Sequence, residues 1–156
     1  MGAVDQSDFE IERTYALLGG PSGERQPVRN SMDAHELLLS GIPAATLVAF
    51  LTRFEILSTG DVLEKALGIS LRTLQRRKTA VGQDRLSTEQ SNRIWKFAEI
   101  VGHATEVFGS LDAAEVWLTS PALGLDQRKP IDLLATAVGI EAVERYLTQI
   151  EYGVYA

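Results

Sequence analysis

Val62-Leu63-Glu64-Lys65-Ala66-Leu67-Gly68-Ile69-Ser70-Leu71-Arg72-Thr73-Leu74-Gln75-Arg76-Arg77-Lys78 is the stretch on which the fold turns. Val62, Leu63, Ala66 and Leu67 share one helical stripe, and apolar residues resume at Ile69 and Leu74. Gly68 between them accepts the left-handed backbone on which a helix stops. Ser70 is placed to cap a second helix. The pattern predicts two short helices joined by a tight turn. On the second, Leu71 and Leu74 pack inward, and Ser70, Arg72, Thr73, Gln75, Arg76, Arg77 and Lys78 are the DNA-binding candidates. Arginine fits guanine, glutamine fits adenine and threonine meets the thymine methyl, while cations clamp phosphates. Arg72 and Gln75 are expected at base edges, with Arg76, Arg77 and Lys78 nearer the backbone. A solvated basic helix without a ligand is the competing reading.

The surrounding charge sharpens the choice. Residues 60–98 hold eight basic and four acidic side chains, whereas residues 1–59 hold four and eight, and residues 99–156 three and nine. A chain of net charge −6 repels a polyanion as a whole, so nucleic-acid binding requires positive charge gathered on one surface. It is gathered here in the middle of the chain.

The 156 residues, 45% of them hydrophobic, suffice for a sizeable core. No cysteine is present, which removes disulfides, thiolate metal sites and thiol nucleophiles and suits a reducing cytoplasm. Asp5, Asp8, Glu10 and Glu12 precede any apolar run, the reverse of a secretory leader. The longest apolar stretch, Ile42 to Leu51, is half a membrane span and contains Pro43. A soluble, cytoplasmic protein is expected.

The chain reads as all-α. Phe9 to Leu18 suits a short helix, and the break at Gly19-Gly20-Pro21-Ser22-Gly23 makes residues 1–30 an expected loose arm and connector. Asp33 to Leu39, Ala44 to Leu51 and Asp61 to Leu67 read as short helices of a small domain over residues 31–85, broken at Gly41-Ile42-Pro43 and Ser58-Thr59-Gly60. Its segment Ile42 to Leu51 offers more apolar surface than one short helix buries, which makes Leu47, Phe50 and Leu51 the candidate dimer contacts. Ser87 and Gln90 form a capping box, and Ile94, Phe97, Val101, Ala104 and Phe108 follow at spacings of three and four up to Gly109. Leu111 to Leu118, then Ile131 to Val138 stopped by Gly139, then Ile140 to Ile150 complete a helical C-terminal domain over residues 86–156.

Candidate chemistry elsewhere is sparse. His35 and His103 lack a ligand at metal spacing, so no metal is expected. The Gly19 to Gly23 segment lacks the lysine and hydroxyl of a P-loop. Glu141 and Glu144 are placed to oppose a helix dipole, and Trp95 and Trp117 suit core or interface anchors. Nothing assembles a nucleophile, base and oxyanion site, so neither an enzyme nor a cofactor is expected. Tyr152, Val154 and Tyr155 are costly to expose as a group and need a surface, either the chain's own core or a partner's.

Val62 to Lys78 resembles the helix-turn-helix of Xre-type bacterial regulators, whose second helix lies in the major groove. Glu64 departs from that pattern, in which a small residue is common. Farther on, Phe108-Gly109, Asp112-Ala113-Ala114, Trp117-Leu118, Pro121-Ala122-Leu123-Gly124, Lys129-Pro130, Asp132-Leu133-Leu134, Gly139, Val143 and Tyr152-Gly153-Val154-Tyr155-Ala156 resemble the toxin-binding domain of the Xre/MbcA/ParS antitoxin family. This second resemblance runs from about Leu86 to Ala156.

The resemblance implies a type II antitoxin that blocks a RES-domain, NAD-consuming toxin and represses its own operon as a dimer on operator DNA. Lys129, Tyr152, Gly153, Val154 and Tyr155 are then the expected toxin contacts, with Glu151 and the carboxylate of Ala156 as candidate mimics of dinucleotide phosphates. Two other functions remain open. One is a dimeric transcriptional regulator without a toxin partner, its acidic C-terminal domain dimerising or sensing a ligand. The other is an interaction adaptor whose DNA binding has degenerated.

Overall fold

The computed structural model describes residues 6–19, 27–57, 62–78 and 84–153, with the side chains of Val62, Arg77 and Lys78 outside that set. The breaks expected at Gly20-Pro21-Ser22-Gly23 and Ser58-Thr59-Gly60, and the tail Val154-Tyr155-Ala156, lie outside the described residues. Among the described residues eight α-helices follow in order: α1 (Gln6–Leu17), α2 (Ser31–Ser40), α3 (Ala44–Leu51), α4 (Val62–Leu67), α5 (Leu71–Lys78), α6 (Thr88–Phe108), α7 (Leu111–Leu118) and α8 (Ala137–Glu151). Two 3₁₀ turns, Leu123–Leu125 and Pro130–Leu133, lie between α7 and α8. Two isolated bridges are the only β pairing among the described residues, and the fold is all-α.

The central element is α6. Its capping box is formed in full: Ser87 Oγ accepts from Gln90 N–H while Gln90 reaches back to Ser87 N–H, so two orphan donors are satisfied at once. Ile94, Phe97, Ala98, Val101 and Ala104 are buried along it, and α1, α2, α4, α7 and α8 all pack on it. Phe97 meets Phe50 edge-on at 5.9 Å between centroids, and Phe50 meets Phe54 edge-on at 5.3 Å. Such edge contacts add to simple area burial. The segment preceding α6 is tied to the α2–α3 corner by Leu86 N–H to Ile42 O, and α6 itself by Ile42 N–H to the buried Ser91 Oγ, each 2.9 Å.

Three expectations need correction. The N-terminal region is not a loose arm throughout, because Thr14, Tyr15, Leu18 and Val28 are buried and α1 lies along α6, with Arg13 Nη1 donating to Glu106 Oε2 at 2.6 Å. Leu47, Phe50 and Leu51 are 0%, 1% and 1% exposed, so the hydrophobic side of α3 is covered by the chain's own α5, Phe54 and Phe97 and leaves no surface for a second copy there. Finally, Ile131 to Val138 is not a helix. Pro130–Leu133 is one 3₁₀ turn, and Thr136 accepts from Gly139 N–H to cap α8, which puts Gly139 in the first turn of the last helix instead of at the end of the one before. Glycine is needed there for close approach, since a Cβ would stand 1.9 Å from Leu133 O. The buried core runs without a break from Tyr15 to Leu147, across the expected boundary at residue 85.

Candidate nucleic-acid and partner interfaces

The turn between α4 and α5 is built around Gly68. Its φ is +74°, and Arg93 of α6 lies against it so closely that any Cβ would overlap the guanidinium. The same guanidinium donates to Lys65 O at 3.2 Å and Ala66 O at 2.7 Å, capping the last carbonyls of α4 with a positive charge where the helix dipole favours one. Ser70 Oγ then accepts from Thr73 N–H at 3.1 Å and opens α5. Leu74 is fully buried against α3, and the opposite side of α5 exposes Arg72, Gln75 and Arg76, with Thr73 half-buried. The side chains of Arg77 and Lys78 lie outside the described residues. A short helix with one buried leucine and a solvent-facing row of guanidinium and amide groups has the chemistry to enter a major groove.

Ahead of α4 stands a feature that the sequence patterns gave no sign of. Glu115 of α7 is only 3% exposed, and its carboxylate accepts from three successive N–H groups: Glu55 at 3.2 Å, Ile56 at 2.8 Å and Leu57 at 2.7 Å. A lone glutamate between alanine and valine offers no periodic signal, so only the folded contact reveals it.

At the C-terminal end, Phe108, Trp117 and Tyr146 stack in a row that joins α6, α7 and α8, with centroid separations of 5.4 and 6.3 Å. Trp117 is therefore a half-buried packing residue. Helix α8 ends at Glu151 and is followed by Tyr152, which is 73% exposed, and by Gly153 with φ +68°. Lys129 is exposed immediately before the Pro130–Leu133 turn. The structure thus leaves Lys129, Glu151, Tyr152 and Gly153 at the surface, while Val154, Tyr155 and Ala156 lie outside the described residues. Leu123 and Val138, 79% and 77% exposed, are further apolar side chains of this half that the periodicity treated as ordinary helix and loop positions.

A polar cavity of about 370 Å³ lies where α1, α6 and α8 meet, lined among others by Glu10, Lys96, Glu99, His103 and Glu144. Burial pushes the Glu144 carboxyl above its ordinary value; Lys96 and His103 pull it back, while Glu99 and Glu10 push with burial. For Lys96, burial lowers the ammonium, but Glu99 and Glu144, at 3.2 and 3.8 Å, outweigh it and raise it. His103 Nε2 shares a 2.6 Å hydrogen bond with Glu151 Oε2, which fixes the last turn of α8 to α6. Glu144 is thus a partner of Lys96, and both Glu141 and Glu144 lie beyond the first turn of α8, so the helix-dipole role expected of them does not apply. No described helix is long and apolar enough to cross a membrane.

Comparison with known proteins matches both halves. Residues 33–99 match the antitoxin Xre-like helix-turn-helix domain, and residues 103–153 match the antitoxin Xre/MbcA/ParS C-terminal toxin-binding domain. An antitoxin Xre of Pseudomonas putida is 31% identical over 142 residues, covering 90% of this chain and 82% of that protein. A Prs ADP-ribosylating antitoxin of a Sphingobium species is 31% identical over 134 residues, covering 80% and 82%. An antitoxin Xre of Yersinia enterocolitica is 36% identical over 93 residues, covering 59% of this chain and 62% of that one.

Proposed function

The chain belongs to the Xre/MbcA/ParS family of antitoxins, and from that premise we propose that it neutralises a RES-domain, NAD-consuming toxin by seating its C-terminal tail in the toxin's active site. The observation that carries this reading is Tyr152, an aromatic anchor exposed at the end of a helix whose other face is held by Val143 and Leu147 in the core. A rigid stem loses little entropy when its tip docks, and tyrosine buries a large area at low rotamer cost. Glu151, through the carboxylate oxygen that His103 does not hold, meets the cations that otherwise hold dinucleotide phosphates, and Lys129 adds a contact at the rim. The name of the Sphingobium relative supports a link to NAD chemistry, since ADP-ribosyl transfer draws on that dinucleotide.

The same chain represses its own operon through α5. Arg72 and Gln75 read base edges, Thr73 meets a thymine methyl, and Arg76, Arg77 and Lys78 hold the backbone, with Ser70 fixing the helix start. A dimer matches a palindromic operator. Its contacts come from side chains that the fold leaves outside, of which Ile56 ahead of α4 and Leu39 and Met32 on α2 are the large apolar ones nearest the reading element in sequence. The protein acts by binding and needs neither catalysis nor a cofactor. Co-expression with the product of the neighbouring reading frame tests the proposal: growth rescue, co-purification and loss of NAD consumption are expected together. A partner that co-purifies without any NAD-consuming activity would sink the RES assignment and leave the antitoxin family membership intact.

A further inference from the structure

We propose that Glu115 is a positioning residue for DNA binding, a strut from the C-terminal half that sets the helix-turn-helix in its reading position. The inference rests on the reading of α5 as the groove-facing helix. The carboxylate of a residue only 3% exposed is expensive to bury unless donors replace its water. Here three successive backbone N–H groups replace it, a concave arrangement suited to an anion. Charge-assisted bonds of this kind are stronger than neutral ones. They fix the backbone at Glu55–Leu57, just ahead of α4, while Leu57 itself is sunk in the core.

At its other end α4 is held by Arg93, through Lys65 O and Ala66 O, and its flank rests on Pro130–Leu133. Every one of these supports comes from outside the helix-turn-helix: α7 supplies a negative charge to N–H groups, α6 a positive charge to C=O groups, and the 3₁₀ turn a packing surface. With α4 set, Gly68 and Ser70 determine where α5 emerges. Without the Glu115 contact, the buried N–H of Leu57 and the part-buried N–H groups of Glu55 and Ile56 lose this shared anchor, and part of the population carries α4 and α5 away from the reading position. Apparent operator affinity then falls with the competent fraction. Phosphate attraction persists, because the arginines of α5 remain.

The test uses the full chain with Glu115→Gln and Glu115→Ala, a duplex of the operator and a scrambled duplex of equal length. Glutamine keeps one acceptor oxygen but turns an N–H₂ group toward a donor, so loss graded from Glu to Gln to Ala is expected. The preference for operator over scrambled duplex should fall by about tenfold or more in the alanine variant. Affinity for the scrambled duplex, its salt slope, the helical circular dichroism and toxin binding should stay near wild type. Amide exchange at Glu55–Leu57 should quicken without matching change in α8. Unchanged operator preference in both variants would overturn the proposal alone. Parallel loss of operator binding, toxin binding and helicity would also overturn it, since that marks a general stability role. A wild-type chain that prefers no operator would instead overturn the DNA-reading assignment and the positioning role with it.

Discussion

Arg72 and Leu74 stand two residues apart on α5 and do opposite things: one is exposed, the other fully buried. That division allows a base-reading side chain to be removed without touching the core. Arg72→Ala should weaken operator binding by about 1–3 kcal/mol and relax preference at one base pair, with toxin neutralisation intact, as measured by fluorescence anisotropy on operator variants. Phe50 makes the contrary case. It is enclosed by Phe54 and Phe97, so Phe50→Ala should cost about 3–5 kcal/mol in denaturant unfolding and leave the oligomeric state of the folded fraction unchanged by light scattering. From sequence alone its hydrophobicity could be assigned equally to a partner or to the core. Which of the two covers it depends on α6, whose Phe97 arrives from 47 residues away.

At the scale of elements, legibility follows locality. The capping box of α6, the Gly68 turn and the Ser70 start of α5 are interactions within three or four residues, and each is readable as spacing. The start of α8 was misread because Gly139 suits either a helix stop or a close approach, and only the nearness of Leu133 O decides between them. The Glu144–Lys96 pair joining α8 to α6 was likewise hidden by a long sequence gap. Its pH dependence has a definite sign. The raised pKa of Glu144 means that the folded chain holds a proton more tightly than the unfolded one above the ordinary value of 4.5. Ionising it as pH rises from there through the folded value therefore removes stability. Glu144→Gln should gain thermal midpoint relative to wild type as pH is raised from about 4 to about 7. Scans in which the difference shrinks over that range would reverse the assignment of burial as the dominant cause.

Across the whole molecule, the charge that repels DNA and the charge that binds it are separated along one scaffold: +4 over residues 60–98, against −4 and −6 on either side. Operator binding should accordingly fall steeply with salt, since the local contacts release counterions while the acidic remainder gives nothing back. Among the described residues the two functional surfaces are linked through α6, α7 and the Pro130–Leu133 turn, so they should be separable at their tips. Tyr152 and Gly153 lie beyond the last core residue of α8, Leu147, and no described contact of the reading element reaches them. Removing residues 153–156 should thus abolish rescue of cells expressing the toxin, with toxin affinity lowered by about 2 kcal/mol or more. Helical circular dichroism and operator binding should be nearly unchanged. The affinity measurement decides the mechanism, because rescue alone also fails if the shortened chain is degraded. Equal toxin affinity for truncated and full-length protein would refute active-site plugging by the tail and move the blockade to the folded surface, where exposed Leu123 and Val138 become the residues to replace next.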